Sequence, residues 1–198
     1  MTGVQTCALP ISTEEQFSDL LGAELEELID REGGDTIAAM IAEPVMGAGG
    51  VIVPPKGYFE RIVPILEAHD ILLIVDEVIC GFGRLGTAFG SHHFDLKPDL
   101  VSIAKGLTSG YIPMSACIVS EKVWEVLRDD SADRGPFSHG YTYSAHPIAA
   151  AVAVANLEVM RSESLFDKAA ENGSYLQDRL RGLCGDHPLV GEDRKSVV

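Results

Sequence analysis

Two short apolar runs, each ending on a polar residue, constrain this chain more than any other feature. Ile71-Leu72-Leu73-Ile74-Val75 runs into the acidic pair Asp76-Glu77, and Pro98-Asp99-Leu100-Val101-Ser102-Ile103-Ala104 runs into Lys105. Short runs that are apolar at nearly every position are the pattern of parallel strands buried on both faces. A glycine-rich turn, Gly81-Phe82-Gly83-Arg84-Leu85-Gly86, lies between them, and the small residues Gly106 and Ser109-Gly110 follow Lys105. In open α/β sheets, ligands sit at the carboxyl ends of the strands. A carboxylate and an amine delivered to such ends therefore define a candidate site.

The rest of the chain alternates helix and strand patterns. Phe17, Leu20, Leu21, Leu25, Leu28 and Ile29 recur at helical spacing over 14–32, and Gly33-Gly34 stops that helix. A buried strand, apolar on both faces, is expected over 37–42, leading to Glu43-Pro44-Val45 and a loop containing Gly47, Gly49 and Gly50. A helix over 58–69 places Phe59, Ile62, Val63 and Leu66 inward, with Pro64 bending it. Strands are expected over 71–75, 100–103 and 114–119, each apolar enough to be covered on both faces. Ser120 caps a helix through Leu127, residues 129–141 form a polar loop, and helices follow over 147–160 and 164–183. This order predicts an α/β fold with a mainly parallel sheet flanked by helices. Residues 1–12 lack the basic start and long apolar core of a signal peptide. They and residues 192–198 match nothing beside them and are expected to be non-native ends of a gene fragment. Residues 13–185 are then one piece of a domain.

The formal net charge of -15 argues against nucleic acid, whose phosphates repel such a surface. No apolar run is long enough to span a bilayer. The four cysteines, Cys7, Cys80, Cys117 and Cys184, show no CxxC spacing, which leaves metal-site and disulfide readings weak and a reducing cytoplasm the default. Cys80 and Cys117 read as small buried hydrophobes and Trp124 as a packing residue. His92 and His93 are adjacent, so their side chains diverge, and no third ligand is near in sequence. No metal is expected.

Lys105 has two readings: a surface lysine at the mouth of a strand, or an amine that attacks a carbonyl to form a Schiff base. Asp76 likewise has two: a strand-end carboxylate capping the next turn, or the acid that keeps the ring nitrogen of a pyridoxal cofactor protonated. An apolar strand leading into Asp76 strengthens such an ion pair by lowering the local dielectric.

At this point a resemblance enters. The run LLIVDEVICGFGRLGTAFGSHHFDLKPDLVSIAKGLTSGYIPMSA, with Glu43-Pro44-Val45 upstream and HGYTYSAHP at 139–147 downstream, resembles the cofactor-binding signature of the class III pyridoxal-phosphate aminotransferases. It extends over about residues 36–185. EPVMGAGGVIVPPKGYF and HGYTYSAHP resemble the amine–pyruvate, or omega-amino acid, transaminases in particular. The resemblance implies an incomplete large domain of the pyridoxal-phosphate transferase fold type I, running into the start of a C-terminal region. It implies pyridoxal 5′-phosphate as cofactor, with Lys105 as covalent attachment point and proton shuttle and Asp76 on the pyridine nitrogen. Val78, two residues on along an extended chain, would pack on the ring. Thr142 would bind the phosphate from the neighbouring subunit of a homodimer, and Glu43 would support the site.

Two departures narrow the subgroup. Ornithine and 4-aminobutyrate transaminases carry a glutamate where this chain has Ala48 and a glutamine where it has Ile79. Both point to an acceptor of the pyruvate type. Arg84 is expected to fix its turn rather than to clamp a substrate carboxylate. The implied reaction moves an amino group between a primary amine or omega-amino acid and a keto acid, in a cytoplasmic enzyme. The phosphate-binding loop of the family is not found in this sequence, so the chain by itself is expected to be inactive. The same motifs leave open an aminomutase or decarboxylating relative. They also leave open a non-catalytic homologue acting as a partner-binding subunit, against which Lys105 and Asp76 weigh.

Overall fold

The computed structural model describes residues 13–184 and 187. The two segments read as foreign, 1–12 and 192–198, lie outside the described residues. The described chain falls into two compact units, 13–38 with 54–71 and 39–53 with 72–184.

The first unit is a pair of packed helices, α1 (Glu14–Glu32) and α2 (Tyr58–Ala68). Thr13 accepts a hydrogen bond from Gln16 N and starts α1 next to Glu14 and Glu15, whose charges suit a helix N-terminus. Gly33, at φ 85°, ends it. Gly22 is buried where α1 meets α2, 3.6 Å from Arg61 and Ile65 by the measure of an added Cβ. Ser18 Oγ donates to Lys56 O at 2.8 Å, and Asp19 pairs with Arg61 at 2.6 Å. Phe59, Ile62 and Leu66 are buried, as their spacing predicts.

The second unit carries a four-stranded sheet in the order β1 (Ala39–Ala42), β2 (Leu72–Asp76), β3 (Leu100–Ile103), β4 (Ala116–Val119). β1, β2 and β3 are parallel, and β4 returns antiparallel to β3. A parallel return needs a crossover, usually a helix. Residues 104–115 are spent instead on a 3-10 turn at Lys105–Leu107 and a loop. Helices α3 (Gly90–His93), α4 (Glu121–Arg134), α5 (Pro147–Ser162) and α6 (Leu165–Cys184) complete the unit.

Several boundaries differ from the sequence pattern for local reasons. Ile37 N–H closes the 3-10 turn Gly34–Thr36, so β1 starts at Ala39. Ile71 N–H donates to Leu66 O at the end of α2, so β2 begins one residue later and reaches Asp76. Met114 packs on the core formed by Ile103, Leu107 and Ala153 rather than entering the ladder. α4 runs to Arg134 rather than Leu127: Ser131 Oγ donates to Leu127 O and Arg134 pairs with Asp130 at 3.1 Å, one turn apart. The expectation of strands covered on both faces fails at the sheet edges, where Ile41 of β1 and Ala116, Cys117 and Ile118 of β4 are exposed. Cys117 is therefore not a core residue, and Trp124 is half-exposed. No described helix is long and apolar enough to cross a membrane.

The glycine-rich turn is seated on α6. A Cβ on Gly83 would stand 2.9 Å from Phe166, and one on Gly86, at φ 76°, would stand 2.8 Å from Ala170 Cβ and 3.1 Å from its Cα. Gly86→Ala is therefore expected to cost about 1–3 kcal/mol and to speed amide exchange along α6. Gly182→Ala, which meets nothing within 4 Å, should be neutral or stabilising by up to about 1 kcal/mol. Equal effects of the two in thermal melts and hydrogen exchange would show that the turn does not seat on the helix.

Candidate active site

Ladder register brings the acid and the amine together. Asp76 is the last paired residue of β2, opposite Ser102 of β3, and Glu77 N–H adds a bond to Ser102 O at 2.9 Å. Lys105 follows Ser102 by three residues. Neighbouring strands are about 4.8 Å apart and three extended residues add at most about 10 Å, so the two Cα atoms lie within about 11 Å.

Beyond Asp76 the chain does not stay extended. Val78 N–H donates to Asp76 Oδ1 at 2.9 Å and Gly81 N–H to Glu77 O at 2.9 Å, which closes a turn at once. The period-two reason for placing Val78 beside Asp76 therefore fails. Val78 nonetheless lines a cleft of about 410 Å³ together with Lys105, Phe82 and Arg84. The Asp76 carboxylate caps its turn through one oxygen, leaving the other without a partner among the described residues. The capping role and an open acceptor coexist in one side chain.

Glu77 has a different task. It is fully buried, and its two oxygens accept from Gly90 N at 2.8 Å and Ser91 N at 2.6 Å. Hydrogen bonds to a charged group contribute about 1.5–3 kcal/mol each. Glu77 thereby ties the start of α3 to the end of β2. Beneath it, Cys80 is buried and donates to Val45 O at 3.2 Å. Burial pushes its thiol pKa up, and the charges of Glu77, Glu43 and Asp76 push the same way. Such a thiol is inert packing rather than a nucleophile.

Lys105 sits at φ 42°, left-handed backbone that a residue with a Cβ rarely adopts. Its side chain is exposed and has no ion pair among the described residues. It borders the 410 Å³ cleft on one side and a second cleft of about 670 Å³ on the other, shared with Thr108, Met114, Tyr141, Tyr143 and His146. Seven other non-glycine residues share a positive φ, Asp70, Asp95 and Ser164 among them, so the conformation is compatible with both readings of Lys105. The turn is held by Leu107 N–H to Ala104 O and Thr108 N–H to Lys105 O, at 3.0 and 3.2 Å, and by Thr108 Oγ1 donating to Ile112 O at 2.7 Å. Asn156 of α5, which the sequence reading passed over, donates to Gly106 O and Leu107 O. A polar residue on the alanine stripe of α5 was the available signal.

Of the anticipated residues, Val78 and Lys105 line these clefts, and Asp76, Glu43 and Thr142 line neither. Glu43 accepts from Gly47 N at 2.9 Å and braces its loop; it lines neither cleft. Thr142 is exposed in a turn closed by Ser144 N–H to Tyr141 O at 2.9 Å; its neighbours line the larger cleft and it does not. Arg84 makes no hydrogen bond or ion pair to its turn among the described residues, against the expectation that it fixes that turn. Backbone bonds do so, Gly86 to Gly83 O at 3.0 Å and Phe82 to Ala88 O at 2.7 Å, while the guanidinium stands exposed on the cleft rim. His92 and His93 are exposed, and no group of three or more metal-type ligands occurs among the described residues.

Comparison with known proteins bears on this arrangement. A family model described as aminotransferase class-III matches residues 3–195. A diaminobutyrate–2-oxoglutarate transaminase of Halomonas elongata is 52% identical over 182 residues, 92% of this chain and 39% of that protein. A chloroplastic gamma aminobutyrate transaminase 3 of Solanum lycopersicum is 51% identical over 185 residues, 93% of this chain and 35% of that protein. The omega transaminase of Pseudomonas jessenii, solved in complex with PMP, superposes with a TM-score of 0.89 at 49% identity, over 93% of this chain and 41% of that one. The chain spans less than two fifths of the length of these two curated relatives. Its sheet is part of the large domain of the pyridoxal-phosphate transferase fold type I. A family model matched across nearly the whole sequence, with relatives about half identical over the same span and a shared α/β fold, places this chain in the class III aminotransferases.

Proposed function

We propose that the complete protein carrying this chain is a pyridoxal-phosphate transaminase that exchanges an amino group between a primary amine or omega-amino acid and a keto acid of the pyruvate type. The observation that carries this reading is Lys105, exposed, left-handed and without an ion pair among the described residues, one strand over from Asp76. The residues present fit the aldehyde and ring end of the cofactor: an exposed amine, a carboxylate oxygen with no partner among the described residues, and an apolar cleft wall at Val78 and Phe82.

Pyridoxal 5′-phosphate, when bound, supplies an aldehyde that takes up the amino group and a ring that draws in the electron pair released at the substrate Cα. Lys105 Nζ would be the nucleophile that holds the cofactor, and once released it would carry a proton between the substrate Cα and the cofactor's C4′. Asp76 would present to the ring nitrogen the oxygen that has no partner among the described residues, and would keep a proton there. Val78 covers a ring face, Glu43 steadies the neighbouring loop through Gly47, and Thr142 reaches the phosphate of the other subunit in a homodimer. The acceptor class rests on Ala48 and Ile79. Ile79 packs against Gly47, where an added Cβ would stand 2.7 Å from its Cδ1, and Ala48 beside it is exposed. Neither position offers a polar group to a second substrate carboxylate or to the cofactor.

In this reading residues 13–185 are part of the cofactor-binding large domain running into a C-terminal region, with 1–12 and 192–198 foreign to it. The complete reading frame decides that division. A reducing cytoplasm is the proposed setting; among the described residues Cys80, Cys117 and Cys184 form no disulfide.

In the complete protein, Lys105→Ala is expected to abolish borohydride-trappable cofactor and to lower turnover by about 10²–10⁴-fold or more. Asp76→Asn should keep part of the cofactor affinity and lose most of the rate. Cofactor trapped on Lys56 or Lys122, or near-normal turnover in the Asp76 variant, would sink the assignment. An acceptor screen should rank pyruvate above 2-oxoglutarate; the reverse order would place the protein with relatives such as the Halomonas elongata enzyme.

A further inference from the structure

We propose that Asn156 is a positioning residue for Lys105, fixing the turn that keeps the lysine left-handed and its amine presented to the cleft. The inference rests on the reading of Lys105 as the cofactor's attachment point.

Asn156 lies on α5, on the stripe that also carries Ala149, Ala153 and Met160, all three buried. Ala153 packs with Leu107 and Ile103, so the small residue brings the helix close to the turn. From there the Asn156 amide reaches three residues of the turn. Its NH₂ donates to Gly106 O at 2.8 Å and to Leu107 O at 3.1 Å, and its Oδ1 accepts from Ser109 Oγ at 2.8 Å. Only this orientation satisfies the contacts, because a reversed amide would set its oxygen against two carbonyls.

The placement matches what Lys105 needs. A left-handed backbone at a residue with a Cβ is unfavourable and persists only where its surroundings over-determine it. Glycine would relieve the cost, but glycine carries no amine. Ser109 is also left-handed, at φ 49°, so the turn is strained at both of its ends. The carbonyls of Gly106 and Leu107 lie between those two residues, and both are gripped from a helix. Without that grip, the peptide groups after Lys105 are free to rotate toward an ordinary backbone, which swings the Cα–Cβ bond of Lys105 away from its present direction. Asn156 touches the lysine's backbone neighbourhood and acts through Lys105, so it is not itself a catalytic group.

The test uses the complete protein, freed of cofactor and reconstituted with pyridoxal 5′-phosphate. Four quantities are read: the rate of borohydride-trappable attachment at Lys105, located by peptide mass, the pH midpoint of the cofactor's visible band, kcat and KM for an amine donor, and the melting temperature of the apoprotein. Asn156→Ala removes two donors to the turn and is expected to slow attachment about tenfold. It should also move the pH midpoint and lower kcat, with little change in KM. Asn156→Asp should be worse, since a carboxylate would face the two carbonyls. Ser109→Ala leaves the donors in place but frees the amide to turn, and should shift the same readouts in the same direction by about twofold. Wild-type attachment rate and pH midpoint in both Asn156 variants would overturn the inference, even if the apoprotein melted lower, because a purely structural role moves only the melting temperature. Should both Asn156 variants fail to fold, Ser109→Ala decides: a shifted midpoint supports the inference, and wild-type behaviour overturns it. Wild-type protein that takes no cofactor on Lys105 would sink the transaminase reading and this inference with it. Wild-type protein labelled at Lys105, with unchanged variants, would sink this inference alone.

Discussion

The pairing of β2 with β3 is the constraint on which the rest of the site depends. Opposing Asp76 to Ser102 brings the carboxylate and the later lysine to the same edge of the sheet. A slip of one residue would turn every side chain of β2 to the other face and carry Asp76 away from the lysine's side. Asp99 helps to set the register, because its Oδ2 accepts from Leu73 N and its own N–H donates to Leu73 O, both at 2.9 Å. The position of the chemistry is thus a consequence of backbone hydrogen bonding well below the cleft.

Two side chains convert that register into a stiff site. Glu77, adjacent in sequence to Asp76, is turned inward and wholly buried, where its charge is satisfied by the amides of Gly90 and Ser91. A buried charge without such partners is strongly destabilising, so α3 and the end of β2 hold each other in place. Asn156 does the corresponding work on the lysine side, from α5. The acid and the amine are each flanked by a polar brace inside an otherwise apolar layer.

Large apolar side chains crowd the surface of the same unit. Tyr111, Phe137, Tyr141 and Tyr143 are each exposed by two thirds or more. Tyr141 and Tyr143 flank Thr142 and line the larger cleft beside Lys105. Large contiguous apolar patches mark surfaces that meet other protein, and Tyr141 and Tyr143 are close together in one turn. That fits the proposed homodimer, in which the loop around Thr142 serves the neighbouring site.

Much of this was legible without coordinates. Apolar runs specify buried strands through their lack of polar atoms, so β2, β3, α1, α5 and α6 fell within about two residues of their expected bounds. The chemical identity of the pair Asp76 and Lys105 is likewise local, since each ends a strand. What one-dimensional pattern cannot hold is the partner a polar group finds across the fold. Asp76 and Glu77 look alike in sequence; whether a carboxylate caps the next turn at Val78 or takes the amides of Gly90 and Ser91 depends on where α3 lands. The same holds for Arg84, left on a cleft rim while backbone bonds close its turn. β4 turned antiparallel because the segment before it was used by the Lys105 turn. Asn156 acquired its role only when a helix about fifty residues downstream packed on that turn. Sequence by itself determined which reactive side chains this protein carries and at which strand ends; tertiary structure alone decided which polar groups face one another, because hydrogen-bond partners are chosen by distance in space and not by distance along the chain.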